Sequence, residues 1–249
     1  MVAYNRMVNW HDGIDVATYG TPDGAPNDIP DRVPLAIDFY GNDIQNMGDN
    51  CFETDGGARN IRVFRNRCFD SAAGALSVQP MFGGPVYCYQ NLVYNAPTGS
   101  LKYIEGSSGI LIYNNTIIGE GRAGPTSNQQ YRNNLILAQG AFDPVFAVTT
   151  YTNYSSSDYN GFRPNPDKAD SFEWNSPAFG VVCRFRSKSG AAPVSDPSGV
   201  SGSNRPGAAQ RVDRLQCLRA RSHAGSDRSA TRLYTRRIRF QPTLGFTCD

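Results

Sequence analysis

Asp15 and Glu53 are the two carboxylates in this chain best placed to do chemistry, and their placement follows from a repeat. Each follows an apolar residue, in the pairs Ile14-Asp15 and Phe52-Glu53, and the pairing returns as Leu76-Ser77 and Leu101-Lys102. In extended segments the side chains alternate between two faces, so the apolar member turns inward and its neighbour outward. Stacking such segments lines up Asp15, Glu53, Ser77 and Lys102 in one outward column, with His11, Asp12, Asp49 and Asp55 around it. This alignment makes the corner of the first unit one residue shorter than the others. Two carboxylates held about 5–9 Å apart can divide glycosidic cleavage between them, one as general acid and the other as base or nucleophile. Asp15 and Glu53 are therefore the expected catalytic pair. Lys102 or an arginine would take a proton beside a uronate carboxylate if the reaction were an elimination or an epimerisation, and His11 is a further catalytic candidate. Trp10 and Asp55 are the expected substrate-binding residues, with the indole offering a platform for a sugar ring. Asp12 and Asp49 also suit tight corners, where Asp-Gly and Asp-Asn serve turn geometry. Arg62, Arg65 and Arg67 form a basic face that could grip acidic sugars.

The elements that must carry this column are set by a period. The phrase aromatic-x-Asn-x-apolar recurs at Tyr40-x-Asn42-x-Ile44, Phe64-x-Asn66-x-Cys68, Tyr89-x-Asn91-x-Val93, Tyr113-x-Asn115-x-Ile117 and Tyr131-x-Asn133-x-Leu135. An imperfect copy, Ala3-x-Asn5-x-Met7, lies upstream. The asparagine steps are 66−42 = 24, 91−66 = 25, 115−91 = 24 and 133−115 = 18. A period within about 20–50 residues marks a stacked architecture. Each unit holds two short runs of alternating polarity around a turn residue, Gly13, Asn50, Gly74 or Gly99, which suits a corner of positive φ. One such unit cannot bury its own apolar face, but strands stacked at about 4.8 Å can share a core. The expected fold is all-β, a parallel β-helix solenoid of about six turns. Asn42, Asn66, Asn91, Asn115 and Asn133 would form an Asn ladder, and Ile44, Val93 and Ile117 an aliphatic core. Propeller blades of about 40–45 residues and leucine-rich repeats do not fit this spacing.

The run from Ile37 to Asp70 and the phrase from Ile110 to Gly119 resemble the right-handed parallel β-helix, pectin-lyase-like superfamily. The resemblance spans about Met1 to Gly180. It implies a protein that acts on or binds an extracellular polysaccharide, with an acidic groove on one outer face and lyase, hydrolase or epimerase chemistry. The alternative is a non-catalytic glycan-binding or adhesion module on the same scaffold. It also implies secretion or cell-surface display, a monomer, a glycan as partner, and neither nucleic acid nor membrane. No cofactor is expected, although acidic residues could hold calcium that bridges an anionic substrate.

The chain falls into two unlike parts. Residues 1–182 hold 11 Lys+Arg and 18 Asp+Glu, giving 11−18 = −7, whereas residues 183–249 hold 13 and 4, giving 13−4 = +9. The arginine-rich tail (181–249) lacks the repeat phrase. Read one nucleotide later, codons exist that turn Val194–Pro206, Arg214–Leu218 and Tyr234–Asp249 into segments similar to the ends of β-helix proteins. The tail is therefore expected to be out-of-frame translation, with the shift near Val181–Cys183. No leader-like stretch or polar cap precedes the first repeat, so the natural chain is expected to start further upstream. Cys51, Cys68 and Cys88 remain outside the tail. Cys51 and Cys68 occupy apolar repeat positions and are expected to be buried free thiols, with neither disulfide nor zinc. The Gly20–Pro34 insertion reads as a surface loop beside Asp15. Asn114 and Asn153 match the glycosylation sequon.

Overall fold

The computed structural model describes residues 1–16, 34–79, 84–103, 106–140, 144–152, 154–165, 170–176, 181–186 and 210–215. Residues 17–33 of the insertion region and Asn153 lie outside these, as does most of the tail. Every regular element is a strand, and among the described residues there is no helix.

The first four turns each contribute three strands. The first gives β1 (Val2–Ala3), β2 (Arg6–Val8) and β3 (Ile14–Asp15); the second β4 (Asp38–Tyr40), β5 (Asp43–Met47) and β6 (Phe52–Glu53). The third gives β7 (Ile61–Phe64), β8 (Arg67–Ser71) and β9 (Leu76–Val78), and the fourth β10 (Val86–Tyr89), β11 (Leu92–Tyr94) and β12 (Leu101–Tyr103). Then follow β13 (Ser108–Tyr113), β14 (Thr116–Ile118), β15 (Gly121–Arg132), β16 (Leu135–Leu137), β17 (Phe146–Thr150), β18 (Ser156–Arg163) and β19 (Asp170–Ser176). Each strand from β1 to β19 pairs in parallel with its copies in adjacent turns, so the chain is a parallel β-solenoid. β20 (Val181–Arg186) and β21 (Gln210–Leu215) break the pattern by pairing antiparallel with β19 and β18.

Inward side chains stack in three columns. The first runs Phe39, Val63, Cys88, Ile112 and Tyr131; the second Met7, Ile44, Cys68, Val93, Ile117 and Ile136; the third begins Ile14, Phe52, Leu76 and Leu101. All but Met7 are buried. The expected aliphatic core and third-column register are both present.

Between the first two columns the chain bends at a buried asparagine. Asn42 accepts at Oδ1 from both the backbone N and the Nδ2 of Asn5, each at 3.0 Å. The same double bond joins Asn42 to Asn66, Asn66 to Asn91, and Asn91 to Asn115. Each second Nδ2 proton goes to a carbonyl of the preceding turn, such as Phe39 O for Asn66. The residue before every ladder asparagine has positive φ, from Tyr4 to Tyr159. Outside the bend, Tyr40, Phe64, Tyr89 and Tyr113 stack face to face at centroid separations of 4.8–5.0 Å.

The fifth repeat phrase requires a correction. Asn115 bonds to Asn134, not Asn133, and Asn134 continues to Asn160. Arg132 pairs with Tyr113, so Tyr131 turns into the core and Asn133 becomes the positive-φ residue. A second correction concerns the corners. Of Gly13, Asn50, Gly74 and Gly99, only Gly99 has positive φ. A Cβ on Gly13 would stand 2.2 Å from Cys51 O, and one on Gly74 would stand 2.9 Å from Asn50 Oδ1. Those two glycines serve close approach between turns.

Asn134→Ala strands the two donors of Asn115 and removes two bonds of its own amide. It should cost about 3 kcal/mol of stability in denaturant unfolding. Asn133→Gly keeps the backbone free to hold positive φ and should change stability by no more than about 0.5 kcal/mol.

Candidate functional site

The carboxylates gather where the third-column corners of the first two turns meet. Gly48 N donates to Trp10 O and Asp49 N to His11 O, which sets Asp12 over Asp49. Beyond that point Gly13 N donates to Asn50 O and Ile14 N to Cys51 O. The offset between turns has grown by one residue, and Asn50 is the extra one; the first corner is shorter, as the alignment requires. Further along, Asp15 pairs with Glu53, Glu53 with Ser77, and Ser77 with Lys102, the column read from the sequence.

One oxygen from each of Asp12, Asp49 and Glu53 lies within 4.8 Å of the others. Among the described residues this is the one group of three acidic, histidine or cysteine side chains that close together, and it is where a cation could be held. Its members differ in setting. Glu53 is buried and accepts a hydrogen bond from Asn50 Nδ2. Burial raises its proton affinity above the carboxylate norm, the Asn50 bond opposes this, and the charges of Asp12, Asp15 and Asp49 add to it. Asp12 Oδ2 meets the exposed ring of His11 at Nδ1, 2.8 Å away, and this hydrogen bond raises the His11 pKa. Asp49 has Lys102 Nζ at 3.8 Å as its counter-ion. Trp10, whose carbonyl accepts from Gly48 N, is 63% exposed, so its ring is open to solvent.

The structure thus joins Glu53 to Asp12 and Asp49, two residues that also read as turn formers. Asp15 stays exposed beside Glu53 on the adjacent strand. Lys102 reaches the cluster through Asp49, and His11 through Asp12. Asp55 has a different place. It is fully buried, accepts from Ser77 Oγ at 2.9 Å and from Gln79 N at 2.9 Å, and so fastens its turn to the next. Ser77 is engaged in the same contact. Arg62 of the basic face is taken up by a two-point pair with Asp38.

The largest departure from the sequence reading is covalent. Cys51 and Cys68 form a disulfide between the second and third turns, with Cα atoms 6.0 Å apart. Their apolar repeat positions place them inside, as expected, but in columns that converge across the core. Among the described residues Cys88 is the free buried thiol, its pKa pushed up to about 12 by burial.

Comparison of the chain with known protein families, with curated proteins and with solved structures finds no match.

Burial pushes the Asp55 carboxyl up to about 7, against the opposing bonds from Ser77 and Gln79. A raised acid binds its proton more tightly folded than unfolded. Its contribution is therefore complete below the ordinary aspartate range and is lost as pH rises through about 7. Melting temperatures between pH 4 and 8 should fall more steeply with pH in wild type than in Asp55→Asn.

Proposed function

We propose that this chain is a carbohydrate-active β-solenoid that cleaves an extracellular polysaccharide at the Asp12, Asp49 and Glu53 cluster. The observation that supports this most is the approach of those three carboxylates within 4.8 Å, one of them buried with raised proton affinity. Oxygens no more than 4.8 Å apart fall on the side of the roughly 5–5.5 Å carboxyl separation of retaining glycosidases, not of the wider gap that admits a water. Glu53 is the general acid. It protonates the glycosidic oxygen as the bond to the anomeric carbon breaks. Asp49, with Lys102 as counter-ion, is the nucleophile that bonds to that carbon. Water then displaces Asp49, with Glu53 taking the proton back. Trp10 offers the exposed ring on which a sugar stacks. The disulfide supports placement outside the cell or at its surface, because such bonds persist in oxidising compartments.

The same three oxygens favour a second reading, a calcium ion that bridges an anionic glycan. Carboxylates are the hard donors calcium takes, with the rest of its 6–8 oxygens coming from water and ligand. Calorimetric titration with calcium separates the two readings. Saturable heat that disappears in Asp12→Asn supports the ion.

For the enzyme, reducing-end release is measured across a panel of soluble polysaccharides. Glu53→Gln still accepts the Asn50 bond, so it should fold normally and lose turnover by about a hundredfold or more. Asp49→Asn should lose at least as much. Binding to the panel without turnover in wild type would move the protein to the non-catalytic glycan-binding class.

A further inference from the structure

We propose that the Cys51–Cys68 disulfide is the positioning device of the carboxylate cluster, fixing the backbone from which Asp49 and Glu53 project. This rests on the reading of that cluster as the working site. Cys51 lies two residues from each of them, between Asn50, which bonds to Glu53, and Phe52, which anchors β6 in the core. The same stretch carries the corner above it, since Asn50 O and Cys51 O accept from Gly13 N and Ile14 N. The 2.2 Å separation that a Cβ on Gly13 would have from Cys51 O shows how little slack lies between the corners. The opposite half of the bond is in regular structure. Cys68 belongs to β8, which is paired on one side with β5 and on the other with β11. The disulfide therefore ties the corner between β5 and β6, which meets the shorter corner of the first turn, to a strand paired on both sides.

Its placement along the stack points the same way. In the next two turns the position of Cys51 is held by Ala75 and Ser100, and that of Cys68 by Val93 and Ile117. In those turns Ala73 and Thr98 stand where Asp49 does, and Ser77 and Lys102 where Glu53 does. Among the described residues the one cross-link occurs at the turn that supplies two of the three clustered carboxylates. General reinforcement of the solenoid would serve as well at any turn. Reinforcement of the site serves only here.

The neighbouring turns supply the test variant. Cys51→Ala with Cys68→Val copies Ala75 and Val93 and keeps the stacking volume close to native. Amide hydrogen exchange is compared with wild type far below the melting temperature. Gly13, Ile14 and Asp49 should lose about tenfold or more in protection through local opening, while ladder amides such as Asn66 and Asn91 keep theirs. On a polysaccharide that wild type cleaves, kcat should fall with KM little changed. Unchanged site amides in the folded variant overturn the proposal, and so does a uniform loss across site and ladder. Should the double variant not fold, wild type held in excess dithiothreitol is read by the same amides and the same criteria. Full activity of Glu53→Gln would remove the catalytic reading instead, and the exchange comparison would still decide whether the disulfide positions these corners.

Discussion

A buried primary amide is expensive unless every donor and acceptor is met, and in this solenoid that constraint recurs at the same bend in turn after turn. The ladder answers it completely. From Asn42 to Asn134 each asparagine oxygen takes two donors from the turn before, and each nitrogen gives one proton to the next asparagine and one to a carbonyl behind. Slipping one turn by a single residue would leave several of these groups unpaired and would rotate the core side chains outward. The bend also forces the preceding residue to positive φ. Arg65, Gln90 and Tyr159 accept that conformation although it costs a side-chain-bearing residue about 1–2 kcal/mol. The amides outweigh it.

With register fixed at one bend, the chain reaches the third column in phase. Ile14 meets Phe52 and Leu76 inside, and Asp15 meets Glu53 and Ser77 on the other face. The corners leading there are not bound by the ladder, and they differ in length. One residue more in the second corner supplies Asn50, whose side chain spans from Glu53 to the backbone of Gly74. The carboxylate cluster thus sits where the repeat is allowed to vary, on a frame that cannot.

The period, the inward positions and the register of the column from Asp15 to Lys102 were legible because each is a matter of spacing, and spacing survives in sequence; the burial of Glu53 and Ser77 within that column was not. What was hidden depends on contacts between turns. Asn133 and Asn134 are adjacent and identical in type, and only the inward rotation of Tyr131 decides which enters the ladder. Gly13 and Gly74 look like residues needing positive φ, whereas the carbonyl of Cys51 and the amide of Asn50 are what leave no room for a side chain. Asp55, in an Asp-Gly-Gly run, has the composition of a surface turn, yet Ser77 and Gln79 of the next turn close over it. Cys51 and Cys68 sit in different columns of successive turns, and an odd set of three cysteines gives no sign of which two converge.

The register of the whole solenoid stands on the ladder, and the ladder can be observed bond by bond. In uniformly labelled protein, scalar couplings through hydrogen bonds connect a donor nitrogen with the carbon of its acceptor. The backbone nitrogens of Asn42, Asn66 and Asn91 should each couple to the side-chain carbonyl carbon of the asparagine one turn later, and that of Asn115 to Asn134. Coupling from Asn115 to Asn133, or no coupling between asparagines of successive turns, would contradict the register and with it the placement of Asp12, Asp49 and Glu53.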